Sequence, residues 1–463
     1  MIAKLRIAGG QAERMTTQAI AGRPRTDGDA DVDVAMDTHV TGAPDAPDDD
    51  ARIAQQVPLS RNRRFQALWI GGAGAYLGSS FAGLAVPLLI LAATGSAAQA
   101  GVYGFIDASA AIAAGVPAGM VMDRYNRRTL MIGSELVRSL GFGSAVLALL
   151  AGHLTVPHLF AVAAVTGAAR PFSGSGRSLA TRAVVAPEQL TKALATEEVR
   201  THTASIVGPS LAGVLFAVSR TLPFLGAALG YLVSAVCAFA IPRDAEGSAA
   251  RRGAADGPGG ALDGIRTLMR DPMLRVCLIA LSLLNLGGVA IDLIVVVLIR
   301  GHGGSSADVG LAMALGSLGG LIGAALVGPL HRMLRPGRLL VGLCAWIAAL
   351  NCALVLPFGW WWYGAMLGAS MLGVPAAVVL LDVLVFRQVD DAVRGRTISA
   401  TVTILSVGVA LGPLAAGLLL QYVGAVSAVL AFTAVIGLAA LGAGSSRSVR
   451  AARWPMAAVI PGD

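Results

Sequence analysis

The sequence predicts an all-α integral membrane protein, with twelve transmembrane helices in two pseudo-symmetric six-helix bundles. Three observations carry this expectation. Charge is scarce, the apolar runs are apolar nearly all round, and a stretch of the first half recurs in the second. Of 463 residues, 55% are hydrophobic and only 13% charged. A water-facing domain carries roughly 25% charged residues. Runs such as Leu293–Ile299, Leu140–Leu150 and Ala425–Gly442 show no polar stripe at helical spacing. Helices of that kind sit in lipid or in a very large core, and there are too many here for a core.

Residues 1–57 lack periodicity, are rich in Ala, Gly, Pro and Asp, and carry the acidic cluster Asp45, Asp48, Asp49 and Asp50. They read as a disordered cytoplasmic tail. No signal peptide is expected before the first long apolar run, which starts near Phe65. Spans are then expected at 65–93, 100–121, 129–151, 157–182, 194–218 and 222–241, forming a first bundle within 58–241. A second set follows at 273–299, 308–330, 338–357, 361–386, 396–421 and 425–443. Between them, 242–272 holds Arg251, Arg252 and the Gly/Pro-rich Gly257–Gly260, and reads as a central cytoplasmic linker. Residues 444–463 form a C-terminal tail. Gly and Pro within spans are tolerated in membranes, where small residues let backbones approach closely.

Arginine fixes the expected orientation. Successive loops on one side hold Arg61, Arg63 and Arg64, then Arg124, Arg127 and Arg128, then Arg182 and Lys192. The same side continues with Arg243, Arg251, Arg252, Arg266 and Arg270, then Arg332, Arg335 and Arg338, then Arg387, Arg394 and Arg396, and the tail residues Arg447 and Arg450. The opposite loops hold only Arg220 and Arg300. Positive charge stays inside, so both termini are expected in the cytoplasm and the chain in the cell membrane as a multi-pass protein. The net charge of +8 is accounted for by these loops. No basic face with interleaved aromatics exists, so no nucleic acid is expected as partner. Cys237, Cys277, Cys344 and Cys352 all fall in apolar runs and lack metal-ligand spacing, so neither a metal nor a cofactor is expected.

The internal repeat pairs VAPEQLTKALATEEVRTHTASIVGPSLAG (185–213) with VDDAVRGRTISATVTILSVGVALGPLAAG (389–417). Each runs from a polar loop into a helix and places Gly-Pro, then Gly, at the same distance from its leading Val: Gly208, Pro209 and Gly213, against Gly412, Pro413 and Gly417. Similar segments in corresponding places are what a duplicated transporter contains.

The loop GMVMDRYNRR at 119–128 resembles the G-x-x-x-D-R-x-G-R-R/K signature of the major facilitator superfamily, and lies after the second span as in that family. The resemblance extends over about 60–443. The phrases RNRRFQALW (61–69), PEQL (187–190) and VRGR (393–396) resemble the macrolide-efflux and enterobactin-exporter branch of drug:proton antiporters. The resemblance implies a cytoplasmic clasp of Gly119, Asp123, Arg124, Arg127 and Arg128, with Asp123 near the start of the eleventh helix around Arg396–Thr401. Simple topology-setting charge is the alternative. Asn126 replaces the family's Gly, and a left-handed turn is expected there because Asn tolerates it. The counterpart GPLHR (328–332) lacks the acid. Gly208-Pro209…Gly213 resembles the exporter-associated motif of the fifth helix, although duplication alone accounts for its recurrence at Gly412-Pro413…Gly417.

Ionisable residues at membrane depth cost roughly 2.5–3.5 kcal/mol even on mild scales and mark candidate sites. Asp292, Asp107, Arg170 and Glu135 are the proton-coupling candidates. Arg170, followed by Gly174 and Gly176, resembles the family's R-x-x-x-G-x-G element of helix 4. Arg177 lies two turns on from it, and Asn285 two turns from Asp292. Asp292 and Asp107 stand first, the alternative for both being a buried, paired acid. Glu135 and Arg138 are spaced to neutralise one another, and Asp382 to pair with Arg387 or reach the interface. Trp360, Trp361, Trp362 and Tyr363 read as an interfacial belt.

The expected function is secondary active export of an amphipathic small molecule, antibiotic-like or siderophore-like by branch resemblance, in exchange for protons, by a monomer in the bilayer. An uptake permease is the alternative within the fold. A transport-dead sensor and an integral-membrane enzyme are the alternatives of other classes. An ATP-driven pump is disfavoured, since Ala3 precedes Lys4 and Thr191 precedes Lys192, where a phosphate-binding loop requires Gly before Lys.

Overall fold

A computed structural model describes residues 58–241, 265–266, 268–389 and 391–451. The expected tail at 1–57 and most of the 242–272 linker lie outside the described residues.

The first half contains α1 (Arg63–Thr94), α2 (Ala97–Arg124), α3 (Arg127–Leu150), α4 (Val156–Val184), α5 (Leu190–Val218) and α6 (Leu222–Ala238). The second contains α7 (Pro272–Gly301), α8 (Ser306–Met333), α9 (Pro336–Ala353), α10 (Trp360–Met371), α11 (Val374–Gln388), α12 (Asp391–Tyr422) and α13 (Ala425–Ser445), followed by the short α14 (Arg447–Ala451). Among the described residues nine helical segments are long and apolar enough to cross a membrane. α6 is apolar but only 17 residues long. The second and fourth expected spans are the helices α2 and α4, of 28 and 29 residues. The tenth expected span is one apolar crossing, Trp360–Phe386, but its helix is interrupted. It breaks at Leu372–Gly373 into α10 and α11. Pro375 supplies no N–H to the preceding turn, and the Gly373 backbone packs against Leu343 so closely that a Cβ would collide with it.

Helix starts are set by capping side chains. Asn62, Ser96, Asp271 and Ser305 each accept hydrogen bonds from first-turn N–H groups, and Ser305 and Asp308 form a full capping box. Asn126 does the same for α3, accepting from Arg128 N at 3.0 Å and Thr129 N at 3.3 Å. Its φ of −59° is not left-handed, contrary to the expectation, because the capping geometry fixes it in an extended branch. Asn126→Ala is therefore expected to cost ~1 kcal/mol of stability, read as a lower thermal midpoint of the purified protein in detergent. Gly95 supplies the left-handed turn needed between α1 and α2 (φ 66°).

The halves join through two helix pairs, α2 with α12 and α5 with α8. At the end bearing few arginines one apolar core runs through both halves, including Ile90, Phe224, Ile294, Leu367 and Phe432. At the arginine-rich end the core divides. Cys277, Leu340, Leu380 and Ala440 belong to the second half alone. Leu68, Met131, Ala180 and Ala238, and beside them Phe65, Val185 and Ala193, belong to the first. The bundle is thus closed at one end and parted at the other.

Candidate functional site

The join at the closed end is made by the repeated motif. Gly213 of α5 lies against Gly310 of α8, where an added Cβ would sit 3.0 Å from the Gly310 Cα and nearer still to the Ser306 carbonyl. Gly417 of α12 lies against Gly101 of α2 in the same way, 2.9 Å from its Cα and 2.5 Å from the Ala97 carbonyl. The first glycine of each motif packs inside its own half instead, Gly208 on Ser80 of α1 and Gly412 on the Leu286 carbonyl of α7. The two copies occupy matching places, and only residues without a side chain fit such backbone-to-backbone contacts.

Below this join a cavity of about 600 Å³ lies between the halves. α1, α2, α4 and α5 line one wall, and α7, α8, α10 and α12 the other. Most of the lining is apolar or small, with Tyr103, Leu84, Val296, Met313 and Met371 prominent. Its ionisable groups are Asp107, Arg170, His202 and Asp292. Asp107 and Arg170 form an ion pair across α2 and α4. Asp292 faces them from α7 with an exposed side chain, and carries no hydrogen bond or ion pair among the described residues.

Glu135 lies apart from this cavity's lining. It is 1% exposed and held at 3.0 Å by Arg177 and at 3.4 Å by Arg138, not by Arg138 alone as the spacing led one to expect. Ser234 donates to it at 3.0 Å. Arg138 also donates to Ser79 (2.9 Å) and the Tyr231 hydroxyl (2.8 Å), its guanidinium lying 3.9 Å from the centroid of the Tyr231 ring. This network ties α1, α3, α4 and α6 together. Ser79, Tyr231 and Ser234 carried no signal in the sequence, since isolated hydroxyls in apolar helices have no pattern.

At the parted end, a Cβ at Gly119 would meet nothing within 4 Å. Arg124 is exposed, and Arg128 lies over the Phe239 ring at 5.6 Å. The side chains of Asp123 and of 391–396 lie outside the described residues, as does that of Arg387. Asp382 is exposed. In the expected aromatic belt, Trp361 is exposed whereas Tyr363 is buried, and Trp362 donates its indole N–H to the Ala353 carbonyl at 2.9 Å.

Two helical bundles, joined at one end around a mostly apolar cavity with a few ionisable groups, define a membrane transporter. The chain belongs to the major facilitator superfamily, whose profile, described as Major Facilitator Superfamily, matches residues 68–408. It is accordingly a multi-pass secondary transporter. No curated protein matches its sequence. Among solved structures it is similar to the nucleoside transporter NupG, at 15% identity and a TM-score of 0.66, covering 83% of this chain and 100% of that one. It is also similar to a bacterial homologue of the iron transporter ferroportin in an inward-facing state (18% identity, TM-score 0.65, 83% of this chain and 99% of that one). A bacterial homologue of the human lysosomal transporter Spinster, inward-facing and unoccupied, matches at 16% identity and TM-score 0.61, over 86% of this chain and 99% of that one. At such identities the likeness concerns the fold.

Proposed function

We propose that the protein exports an amphipathic small molecule in exchange for protons, by rocking of the two bundles about the cavity, with Asp292 as the coupling carboxylate. In this reading the chain crosses the membrane twelve times, the arginine-rich end is cytoplasmic, both termini lie inside, and the structure is the inward-open form. The observation that carries the proposal is the contrast between the two acids in the cavity. Asp107 is committed to Arg170. Asp292 has no ion-pair or hydrogen-bond partner among the described residues and lines a mostly apolar cavity, where an isolated charge is costly, so it can take up either a proton or a cationic group of the substrate. A carboxylate that cannot hold both at once links their movements. Export rather than uptake follows the resemblance of 61–69 and 393–396 to the exporter branch.

The test is efflux in everted vesicles energised by a proton gradient, with a panel of fluorescent amphipathic compounds. Asp292→Asn is expected to reduce uncoupler-sensitive accumulation by the size of the coupling, ~5–150-fold, while leaving the protein in the membrane at normal levels. Accumulation that ignores the uncoupler in the wild type would remove proton antiport. Full coupled flux in Asp292→Asn would remove the site assignment.

A further inference from the structure

Asp292 belongs to two cavities. Besides the central one it lines a side chamber of about 190 Å³ within the second half, between α7, α9, α10 and α11. The chamber contains three more oxygen-bearing side chains: Asn285 of α7, Asn351 of α9 and Ser370 of α10. Asn351 and Ser370 are each only 3% exposed. The Asn351 amide has no hydrogen-bond partner among the described residues, although it opens into the chamber. An amide that opens into a mostly apolar chamber without a protein partner points to a ligand there. Ser370 gives its proton to the Met366 carbonyl at 2.8 Å, which leaves its oxygen as an acceptor. The helix break borders the same space, with Met371 on one side of it and Val374 on the other. Pro375 has no N–H to offer the Met371 carbonyl, and the C-terminal end of a helix favours a cation. Broken helices of this kind present carbonyl oxygens to ions in other transporters.

We infer that the side chamber binds a monovalent alkali cation, Na⁺, held by the Asp292 carboxylate with oxygens of Asn285, Asn351 and Ser370. The ligand class follows from the donors. The four named donors are hard oxygens, and neither a thiolate nor an imidazole lines the chamber to select a transition metal; the Met371 thioether is its one sulfur. A single carboxylate balances a single positive charge and would leave a divalent ion under-neutralised in a mostly apolar wall. Because Asp292 also faces the central cavity, Na⁺ in the chamber, a proton on the carboxylate and a cationic substrate group exclude one another there. The inference rests on reading Asp292 as the coupling carboxylate.

The test is thermal unfolding of the purified full-length protein in detergent, in a NaCl series balanced with choline chloride at constant ionic strength and at two pH values. A saturating rise of the midpoint with Na⁺ is expected, weaker at the lower pH because protons compete. Asp292→Asn, which keeps the side chain's shape, is expected to abolish the rise. Ser370→Ala, which removes one oxygen with little risk to folding, and Asn351→Leu are both expected to move saturation to higher Na⁺. Midpoints identical in NaCl and choline chloride, or a rise undiminished by Asp292→Asn, would overturn the site. Proton-driven efflux measured in Na⁺-free vesicles keeps the two readings apart. Intact flux with no Na⁺ response removes the chamber alone, whereas a Na⁺ response without coupled flux removes the antiport alone.

Discussion

Glu135→Ala is expected to destabilise the protein by about 3–5 kcal/mol, the cost of removing one partner from a buried ion pair. Glu135 is the one acid between two guanidinium groups, with Arg177 at 3.0 Å and Arg138 at 3.4 Å. Without it, two like charges face each other where Arg138 is only 5% exposed. The hydroxyls of Ser79 and Tyr231 and the Tyr231 ring still hold Arg138, but none of them carries a compensating charge. Glu135→Gln retains an acceptor and should fall between the two. Thermal or denaturant unfolding in detergent reads the effect. A midpoint for Glu135→Ala equal to the wild type would show that the network contributes nothing to stability. The functional consequence is mechanical. A rocking bundle transmits movement only if it is stiff, and this network fastens α1, α3, α4 and α6 into one body.

Much of the architecture was legible because membranes impose a one-dimensional code. Charge is excluded from spans and arginine is concentrated on one side, so the sequence near 94, 152, 301 and 422 marks turns without any knowledge of packing. Helix continuity is less legible. Gly368–Pro375 looks like other Gly/Pro-containing spans, and nothing in its pattern tells that the helix is interrupted at Leu372–Gly373, just before Pro375. The acids in the cavity were visible as misplaced charges, but their standing was not. Asp107 and Asp292 look alike in the sequence, and differ because α4 brings Arg170 to the first, whereas among the described residues no cation pairs with the second. Asn351 and Ser370 were invisible for a different reason. A lone amide or hydroxyl in an apolar helix carries no pattern, and only the fold shows that both are buried beside one chamber. Gly101 and Gly310 carry a faint signal in the sequence. Each is the fifth residue of its helix, in α2 and α8, at corresponding places in the two halves.

Those two glycines and their partners set the largest expected conformational effect. Gly213→Val is expected to drive the halves apart at the closed end and shift the protein toward the opposite arrangement. In the present form the new side chain would collide with the Ser306 carbonyl and the Gly310 backbone, and backbone cannot rotate away as a flexible side chain can. Overpacking of this kind costs ~1–3 kcal/mol. When the bundles rock so that this end opens, α5 and α8 separate and the cost disappears. The penalty therefore falls on one state only, and the equilibrium should move by ~5–150-fold. Gly417→Val, at the matching contact with Gly101, should act in the same direction, and the pair together more strongly. The readout is labelling of a cysteine introduced by Gly115→Cys near the parted end, in a background with the four native cysteines replaced. A Cβ at that position meets nothing within 4 Å in the present form, so labelling should be fast in the parent and slower in Gly213→Val. Gly208→Ala provides the contrast, since Gly208 packs on Ser80 inside its own half. It should lower stability without changing the labelling rate. Unchanged labelling in both Gly213→Val and Gly417→Val would mean that these contacts do not gate the closed end.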